Sequence, residues 1–170
     1  MKIVFSEFRT NYNNYLFPYQ VLLIREPNDK LETIYQKGFL PFRNNPKLFY
    51  LARSCRSNLK DFQLSSENKR IIKKTQEFEF KMIPLSKFPF DFSIQKQCKD
   101  WAKSREWQIS TKTIKNLFRG NFFNQCQLVK NRNNSEIIGY SIIKEEVNFV
   151  HWAYVFFNPV YQNSNLVIRM

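Results

Sequence analysis

The sequence predicts an α/β (α+β) protein in which a mixed β-sheet is flanked by helices. Runs of β-branched and aromatic residues, bounded by turn residues, recur along the chain and predict strands. Two stretches in the second half instead repeat their apolar residues with the helical period, each behind a capping residue. The chain has 170 residues, 43% of them hydrophobic and 17% aromatic. This suffices for a folded core and excludes a disordered chain.

The first half predicts short strands around one short helix. The start of the chain, MKIVFS, favours a strand. The aromatic run YLFPYQVLLIRE favours a second strand, bent or at a sheet edge because it contains Pro18. In PNDKLETIYQKG, Asn28 or Asp29 is the expected cap of a helix that stops at Gly38. The run LFYLARSCRSNL favours another strand.

A basic helix is expected in the segment FQLSSENKRIIKK. Ser65 or Ser66 is its expected cap, with Glu67 in the first turn. Four cations follow within six residues, and we expect the helix to reach about Phe78.

The second half predicts a strand, two helices and three further strands. FEFKMIPL favours the first strand, and DFSIQKQCKDWAKSREW favours a helix capped by Asp91. STKTIKNLFRG favours a helix capped by Ser110 or Thr111 and stopped by Gly120. The strands NQCQLVKN, SEIIGYSIIKEE and VNFVHWAYVFFN follow, separated by the turns RNNS and EEVN. The tail PVYQNSNLVIRM favours a loop that enters a helix.

This element order resembles part of a known fold. The order β-α-α-β-β-β, followed by the start of a helix, resembles the first two thirds of the GNAT (acyl-CoA N-acyltransferase-type) fold. That resemblance implies a further strand, helix and strand, so we expect a C-terminally truncated chain. It divides the sequence into a basic, aromatic-rich subdomain over residues 1–76, packed on an incomplete GNAT-like core over residues 77–170.

The net charge of +13 favours an acidic partner: nucleic acid, a membrane surface or an acidic peptide. Between Arg43 and Lys74 there are nine Lys and Arg against two Asp and Glu, so +7 of the charge lies there. No apolar run reaches the length of a bilayer span, and the start does not resemble a signal peptide. The basic helix has little apolar moment beyond its isoleucines, so we expect no membrane partner.

Three widely spaced cysteines and a single histidine argue against a zinc site. Cys55 and Cys126 have no histidine near them in sequence, which favours small buried residues over a reactive thiol. An odd number of cysteines without close spacing suits a reducing compartment, so a cytoplasmic location is expected.

Three motifs resemble the aminoacyl-tRNA–protein transferases, the arginyl and leucyl transferases of the N-degron (N-end rule) pathway. FQLSSENKR resembles the family's F-x-P-S-x-S/N-Q/N-R-R, KGFLPF resembles G-F/W-R-R-F/S-G, and YVFFNPVYQNSNL resembles Y-x-F-Y-D-P-x-Y-x-x-x-S-L-G. The matching residues are Phe62, Ser65, Asn68 and Arg70; Gly38, Phe39 and Phe42; and Tyr154, Phe156, Pro159, Tyr161 and Leu166. The chain departs from these motifs at Leu64, Glu67, Lys69, Asn158 and Val167, and it lacks the family's cysteine-rich region.

The resemblance implies an enzyme that moves an amino acid from charged tRNA to the N-terminal amine of an acceptor protein. The donor is an activated ester, so the reaction needs no cofactor and no metal. Six basic residues are candidates for tRNA binding: Arg53, Arg56, Lys69, Arg70, Lys73 and Lys74. The helical cations can instead form a solvated polar face.

The two arginines fall on an expected strand and have their own alternatives. Arg53 and Arg56 suit phosphate or the carboxylate of an acidic acceptor terminus. They can equally pair with Asp61 or Glu67.

Alternating aromatic residues suggest a substrate pocket on two strands. Tyr15, Phe17 and Tyr19 share one face of an extended run, and Trp152 and Tyr154 share one face of the last strand with Phe156. The alternative is a purely structural core or edge role for all of them. The one histidine, His151, is a candidate general base on that last strand, with simple packing as its alternative.

Two other functions remain open. An acetyl-CoA-dependent GNAT acetyltransferase needs glycines where a helix start cradles pyrophosphate, but QNSNLV carries Asn165 and Val167 there. A non-enzymatic RNA-binding module explains the charge and the aromatic residues without any transfer chemistry.

Overall fold

A computed structural model describes residues 1–7, 10–14, 18–43 and 45–164. It shows an α+β protein with two four-stranded sheets, which confirms the predicted fold class at this coarse level. All paired strands within the described ranges run antiparallel. The expectation of a mixed sheet is therefore wrong for both sheets. The chain divides into two compact units, Met1–Leu59 and Lys60–Met170, whereas the sequence-based division lay at residues 76 and 77.

The first unit contains a sheet in the order β1-β2-β4-β3 and one short helix. Its elements are β1 (Lys2–Glu7), β2 (Tyr19–Ile24), α1 (Leu31–Gln36), β3 (Phe39–Phe42) and β4 (Asn45–Leu51), with a single 3-10 turn at Tyr12–Asn14. Leu23, Ile34 and Phe49 are completely buried and form its core. β3 was not expected from the sequence, and its Pro41 is accommodated because β3 lies at the edge of the sheet.

The ends of α1 differ in how well the sequence predicts them. Gly38 adopts φ +90°, a left-handed conformation suited to glycine, just beyond the helix end as expected. The expected cap is wrong: Lys30 occupies that position and makes no side-chain capping bond. The Asp29 carboxylate instead accepts a hydrogen bond from the Glu26 amide at 2.8 Å, which ties the turn before the helix.

β4 is shorter than the strand that the sequence predicts. It ends at Leu51, and residues 52–65 contain neither helix nor strand. Arg53 and Arg56 therefore lie on an irregular segment and not on a strand. The apolar and aromatic residues of LFYL support pairing. The ARSCRSN that follows is largely polar and forms no strand in the described structure, although the Ala52 amide donates to the Gly38 carbonyl at 3.1 Å.

The second unit contains the other sheet, in the order β5-β6-β7-β8. Its elements are α2 (Ser66–Lys74), β5 (Phe78–Pro84), α3 (Phe92–Lys103), α4 (Thr111–Arg119), β6 (Gln125–Asn131), β7 (Ile137–Glu146) and β8 (Phe149–Phe157), with 3-10 helices at Leu85–Lys87 and Pro159–Ser164. The predicted order of strands and helices in this half is confirmed. No helix in the described ranges is long and apolar enough to cross a bilayer.

Side-chain caps fix the starts of the α-helices α2, α3 and α4. Ser65 accepts from the Asn68 amide at 3.1 Å, Asp91 from the Ile94 amide at 2.8 Å, and Ser110 from the Thr113 amide at 3.0 Å. The far end of α2 differs from the prediction, because the helix stops at Lys74 and Phe78 begins β5.

The two faces of the second sheet carry separate apolar clusters. The helix face packs against α3 and α4 through residues that include Cys126, Leu128, Tyr140, Ile142 and Phe156. The opposite face, here called the second face, carries a smaller cluster of Phe78, Val129, Ile138 and Phe157. Side chains alternate between the two faces along each strand.

An extra residue interrupts this alternation in β8. Ile142 pairs with Tyr154, but the next residue, Ile143, pairs with Trp152, so Ala153 has no opposing partner. This is a β-bulge, a feature that is frequent at sheet edges and beside active sites. Its consequence is that Tyr154 shares the helix face with Ile142, whereas Trp152 shares the second face with Ile143.

Candidate functional site

The four cations of α2 form one continuous surface, here called the cationic arc. Successive helical residues are about 100° apart, which places Lys69, Lys73, Arg70 and Lys74 in that order over about 140° of the helix circumference. All four side chains are exposed. The buried Ile71 lies on the other side of the helix, so the arc faces away from the apolar contact.

One member of the arc has an acidic partner. The Arg70 guanidinium donates to both carboxylate oxygens of Glu67, with Nε at 2.7 Å from Oε2. These hydrogen bonds lower the pKa of Glu67 and raise the pKa of Arg70. The pair is exposed, so it orients Arg70 more than it stabilises the helix.

The two upstream arginines differ in their surroundings. Arg56 donates Nη1 to the Gln36 carbonyl at 3.1 Å and Nη2 to the Tyr35 carbonyl, at the C-terminal end of α1. Cations at this end of a helix satisfy carbonyls that have no partner in the helix. Arg56 therefore has a structural role, whereas Arg53 lies exposed on the same irregular segment.

The expected aromatic pocket is only partly described. Tyr15 and Phe17 lie outside the described residues, and Tyr19 begins β2 with 72% of its side chain exposed. The shared face expected for Trp152 and Tyr154 is wrong, because the bulge at Ala153 separates them. Tyr154 packs with Trp107 and Phe123 on the helix face, whereas Trp152 is 45% exposed on the second face.

His151 lies on the helix face of β8, directly across from Lys144 of β7. Lys144 extends over the Phe122 ring, 5.9 Å from its centroid, and pairs with Glu146 at 2.6 Å. Burial lowers the pKa of His151 to about 4, because the imidazolium form loses solvation. The imidazole is therefore neutral at pH 7, but it is a weaker base than an exposed histidine.

The third motif has a structural explanation after β8. Asn158 accepts from the Val160 amide at 3.1 Å and donates to Glu136 at 3.2 Å, while the Tyr161 hydroxyl donates to Glu136 at 2.7 Å. The Tyr161 ring also meets Phe78 edge to face. These contacts fasten the 3-10 helix Pro159–Ser164 to the β6–β7 turn. Leu166 and Val167 lie outside the described residues.

A polar group on the second face was missed by sequence reasoning. Gln125, Gln127 and Ser141 each carry a buried side-chain oxygen without a hydrogen-bond partner in the described part of the chain. Gln127 pairs directly with Ser141 across β6 and β7, and Gln125 is two residues along the same strand. The available signal was the alternation in NQCQLVKN, which places two glutamines on one face of a central strand.

The cysteines show no sign of a reactive thiol. Cys98 and Cys126 are buried, and burial raises the pKa of both thiols, that of Cys126 to about 12. The sequence favoured a small buried residue at Cys55 also, but Cys55 is exposed. No group of three or more His, Cys, Asp or Glu within the described ranges is arranged to hold a metal ion.

No model of a known protein family matches this chain, and no curated protein matches it either. The function must therefore be inferred from the cationic arc, the second sheet and the residues around it.

Proposed function

We propose that the chain is an aminoacyltransferase that moves an amino acid from charged tRNA to the N-terminal amine of an acceptor protein. The observation that carries this proposal is the cationic arc of α2. In the motif FQLSSENKR, Phe62 precedes this helix by a few residues and is 52% exposed. Exposed cations on one side of a helix suit contacts with successive phosphates. An exposed aromatic ring a few residues before the helix suits stacking on an unpaired base.

The order of elements in the second unit supports the same proposal. β5, α3, α4, β6, β7 and β8 occur in the order expected for a GNAT-like core, and the four strands are neighbours in chain order. A GNAT-like sheet is a fold on which acyl transfer to amines is expected. The bulge in β8 is also a feature that is frequent beside active sites.

The proposed chemistry is a simple ester aminolysis. The neutral amine nitrogen attacks the ester carbonyl carbon, an amide bond forms, and the bond from that carbon to the ribose oxygen breaks. The proton lost by the amine is taken up by the departing ribose oxygen, so charge and atoms balance without ATP, a metal or a cofactor. Positioning supplies much of such a rate enhancement.

The role proposed for His151 is correspondingly modest. A general base contributes roughly 10²–10⁴-fold when its pKa is close to the working pH. The pKa of His151 is about 4, so proton transfer to this imidazole is weakly driven at neutral pH. We therefore propose that positioning by tRNA contacts matters more than base catalysis by His151. We also propose that the reaction occurs in the cytoplasm.

The test mixes the full chain with a pool of charged tRNAs and reporter peptides that bear different N-terminal residues, acidic ones included. A gain of one amino-acid residue in peptide mass supports the proposal and identifies donor and acceptor together. N-acetylated reporter peptides are the matched control, since they lack the accepting amine. No mass gain with any pair, at a protein concentration that saturates tRNA binding, contradicts the proposal.

The cationic arc equally favours a second candidate, a non-enzymatic RNA-binding module. Such a module binds charged and uncharged tRNA with equal affinity and leaves both unchanged. A separate arm of the same assay contains acetyl-CoA. If the peptides gain the mass of one acetyl group only in that arm, the chain is an acetyltransferase instead. Asn165 and Val167, which argued against that reaction, lie outside the described residues.

A further inference from the structure

The polar group on the second face is chemically unusual for a sheet interior. Gln127 is 8% exposed and Ser141 is completely buried, yet neither side-chain oxygen has a hydrogen-bond partner within the described ranges, and the same holds for Oε1 of Gln125. A buried polar group without a hydrogen-bond partner destabilises the folded state. Three together, here called the oxygen triad, indicate that another molecule supplies the missing hydrogen bonds.

The geometry of the sheet brings the triad together. Gln127 and Ser141 are direct cross-strand partners, so their Cβ atoms are about 5 Å apart. Gln125 lies two residues along β6 on the same face, about 7 Å away. The three residues are therefore neighbours on the second face.

The chemistry of the triad selects the kind of ligand. A glutamine Oε1 can only accept hydrogen bonds, so a ligand that binds Oε1 of Gln125 and Gln127 must donate, which disfavours ionised phosphates and carboxylates. The Ser141 hydroxyl can accept from the same ligand. The amide of Gln125 is held in this orientation because its Nε2 donates to Glu145 at 2.8 Å. The negative charge of Glu145 on the far side of that amide favours a cationic donor. A primary ammonium has three N–H donors, one for each oxygen.

The residues that border the triad suit an ammonium as well. Ile143, the partner of Gln125, pairs on its other side with Trp152, so Trp152 lies on the same face two strands away. Met82 is the partner of Gln127 on β5. Met82 is 43% exposed and Trp152 is 45% exposed, which places solvent-accessible side chains at both ends of the buried group. An indole face also attracts cations.

We propose that Gln125, Gln127 and Ser141 bind the α-ammonium of the donor's aminoacyl group, with Trp152 as the flanking aromatic residue. The site lies on the face opposite to His151, so that imidazole takes no part in the transfer if this site is used. The identity of this ammonium rests on the proposed transfer reaction. An aminoacyl ester keeps its α-ammonium two bonds from the reacting carbonyl, so holding it positions that carbonyl without touching the nucleophile. The attacking amine must be neutral, and binding by three acceptors would oppose its deprotonation, which favours the donor over the acceptor as the occupant.

The test needs no tRNA. Leucinamide, phenylalaninamide and argininamide are titrated against the full chain, each beside its N-acetylated form, with Trp fluorescence and the unfolding midpoint as readouts. We expect at least one free amide to raise the midpoint and its acetylated form to have no effect. Ser141→Ala and Gln127→Met should each weaken that binding about tenfold or more, because a charge-assisted hydrogen bond is lost. Ser93→Ala, at an exposed helix position, is the matched control and should bind as the parent does.

The ligand-free variants give a second, independent readout. If the triad has no partner in the free protein, Ser141→Ala leaves the unfolding midpoint unchanged or raises it, because an unpaired buried hydroxyl is removed. A lowered midpoint without ligand, together with no amide binding, indicates a structural water on the triad and overturns the proposal. Equal binding of tripeptides with free N-termini through the same residues assigns the site to the acceptor and also overturns it.

The outcome is separable from that of the proposed function. Amide binding that depends on the triad, without any mass gain on reporter peptides, supports the ammonium site and contradicts the transferase. A mass gain that survives both substitutions supports the transferase and contradicts the ammonium site.

Discussion

Ser65 and Ser66 are adjacent and chemically identical, yet only Ser65 accepts the hydrogen bond that begins α2. The sequence left both open as caps, because either one precedes the apolar residues by a plausible distance. The choice depends on backbone conformation: Ser65 has the extended dihedral angles of a cap, and Ser66 is already helical. His151 and Trp152 also show that a local pattern does not determine the backbone geometry. Both were placed on β8 correctly, but the bulge at Ala153 determines which face of the sheet each of them occupies.

The first prediction concerns this pair of serines. Ser65→Ala should lower the free energy of unfolding by about 1 kcal/mol, because the Asn68 amide loses its acceptor. Ser66→Ala is the control and should have little effect, since its hydroxyl caps nothing. Urea unfolding of both variants checks this, and equal losses in the two would show that the cap is not confined to Ser65.

The second prediction concerns His151. Its pKa is about 4 in the folded state against 6.5 as its ordinary value, so between these values the unfolded chain binds more protons. The contribution of His151 to stability is therefore complete above about pH 6.5 and is lost as the pH falls towards 4, at up to about 1.4 kcal/mol per pH unit.

His151→Gln should flatten that part of the stability curve, measured by urea unfolding at intervals of half a pH unit. The exposed Lys112→Gln is a control for the loss of one titratable group. An unchanged slope between pH 6.5 and 4 in His151→Gln would show that His151 titrates normally in the folded state.

Whole elements were predicted from sequence where local signals were complete. α3 and α4 each have a cap and a helical period, and α4 also has a stop at Gly120; both occur within a few residues of the predicted bounds. β3 and the end of β4 were not predicted, because pairing depends on a neighbouring strand that no local pattern reveals. The second-face polar group was missed for the same reason: burial of Gln127 is a property of the sheet and not of its own strand.

The third prediction belongs to α2. Replacing Lys69, Arg70, Lys73 and Lys74 together with Ala should weaken tRNA binding and reduce the slope of log affinity against log salt by about 3, at roughly 0.7–0.9 per phosphate contact. Ala suits a helix, so the helix itself should persist.

The matched control removes the same number of charges from α3 and α4. Lys96, Lys103, Lys112 and Lys115 are exposed on those helices, and their replacement with Ala should leave the salt slope largely unchanged. Equal loss of slope in both variants would show that tRNA responds to net charge alone and not to the cationic arc.

At the scale of the molecule, the two compact units meet in sequence within a stretch that has no regular structure. Residues 52–65 lie between β4 and α2 and are almost entirely exposed. The order of elements in the second unit follows from sequence, whereas β3 in the first unit does not. The sequence-based division at residue 76 followed the start of the GNAT-like order, whereas compactness in the structure places α2 with the second unit.

The fourth prediction uses this stretch. Brief trypsin treatment should cut first after Arg53, Arg56 or Lys60, because an exposed segment that forms neither helix nor strand enters a protease active site most readily. Arg132 is the internal control: it is also exposed, but its turn is held by hydrogen bonds from the Arg132 amide to Glu77 and from the Ser135 amide to Asn131. Mass analysis of the first fragments decides between the two sites. A first cut after Arg132 would show that residues 52–65 are better protected than their irregular backbone indicates.

The unpaired residue in β8 gives this strand an uneven tolerance to changes of length. Removing the codon for Ala153 would join Trp152 to Tyr154 as an ordinary alternating pair, and every cross-strand partner on β7 would be kept. Removing Val155 instead would place Tyr154 opposite Ser141 on the second face, and would take its ring away from Trp107 and Phe123. Natural variants in which this strand is one residue shorter should therefore lack the residue at position 153, because Ala153 has no cross-strand partner.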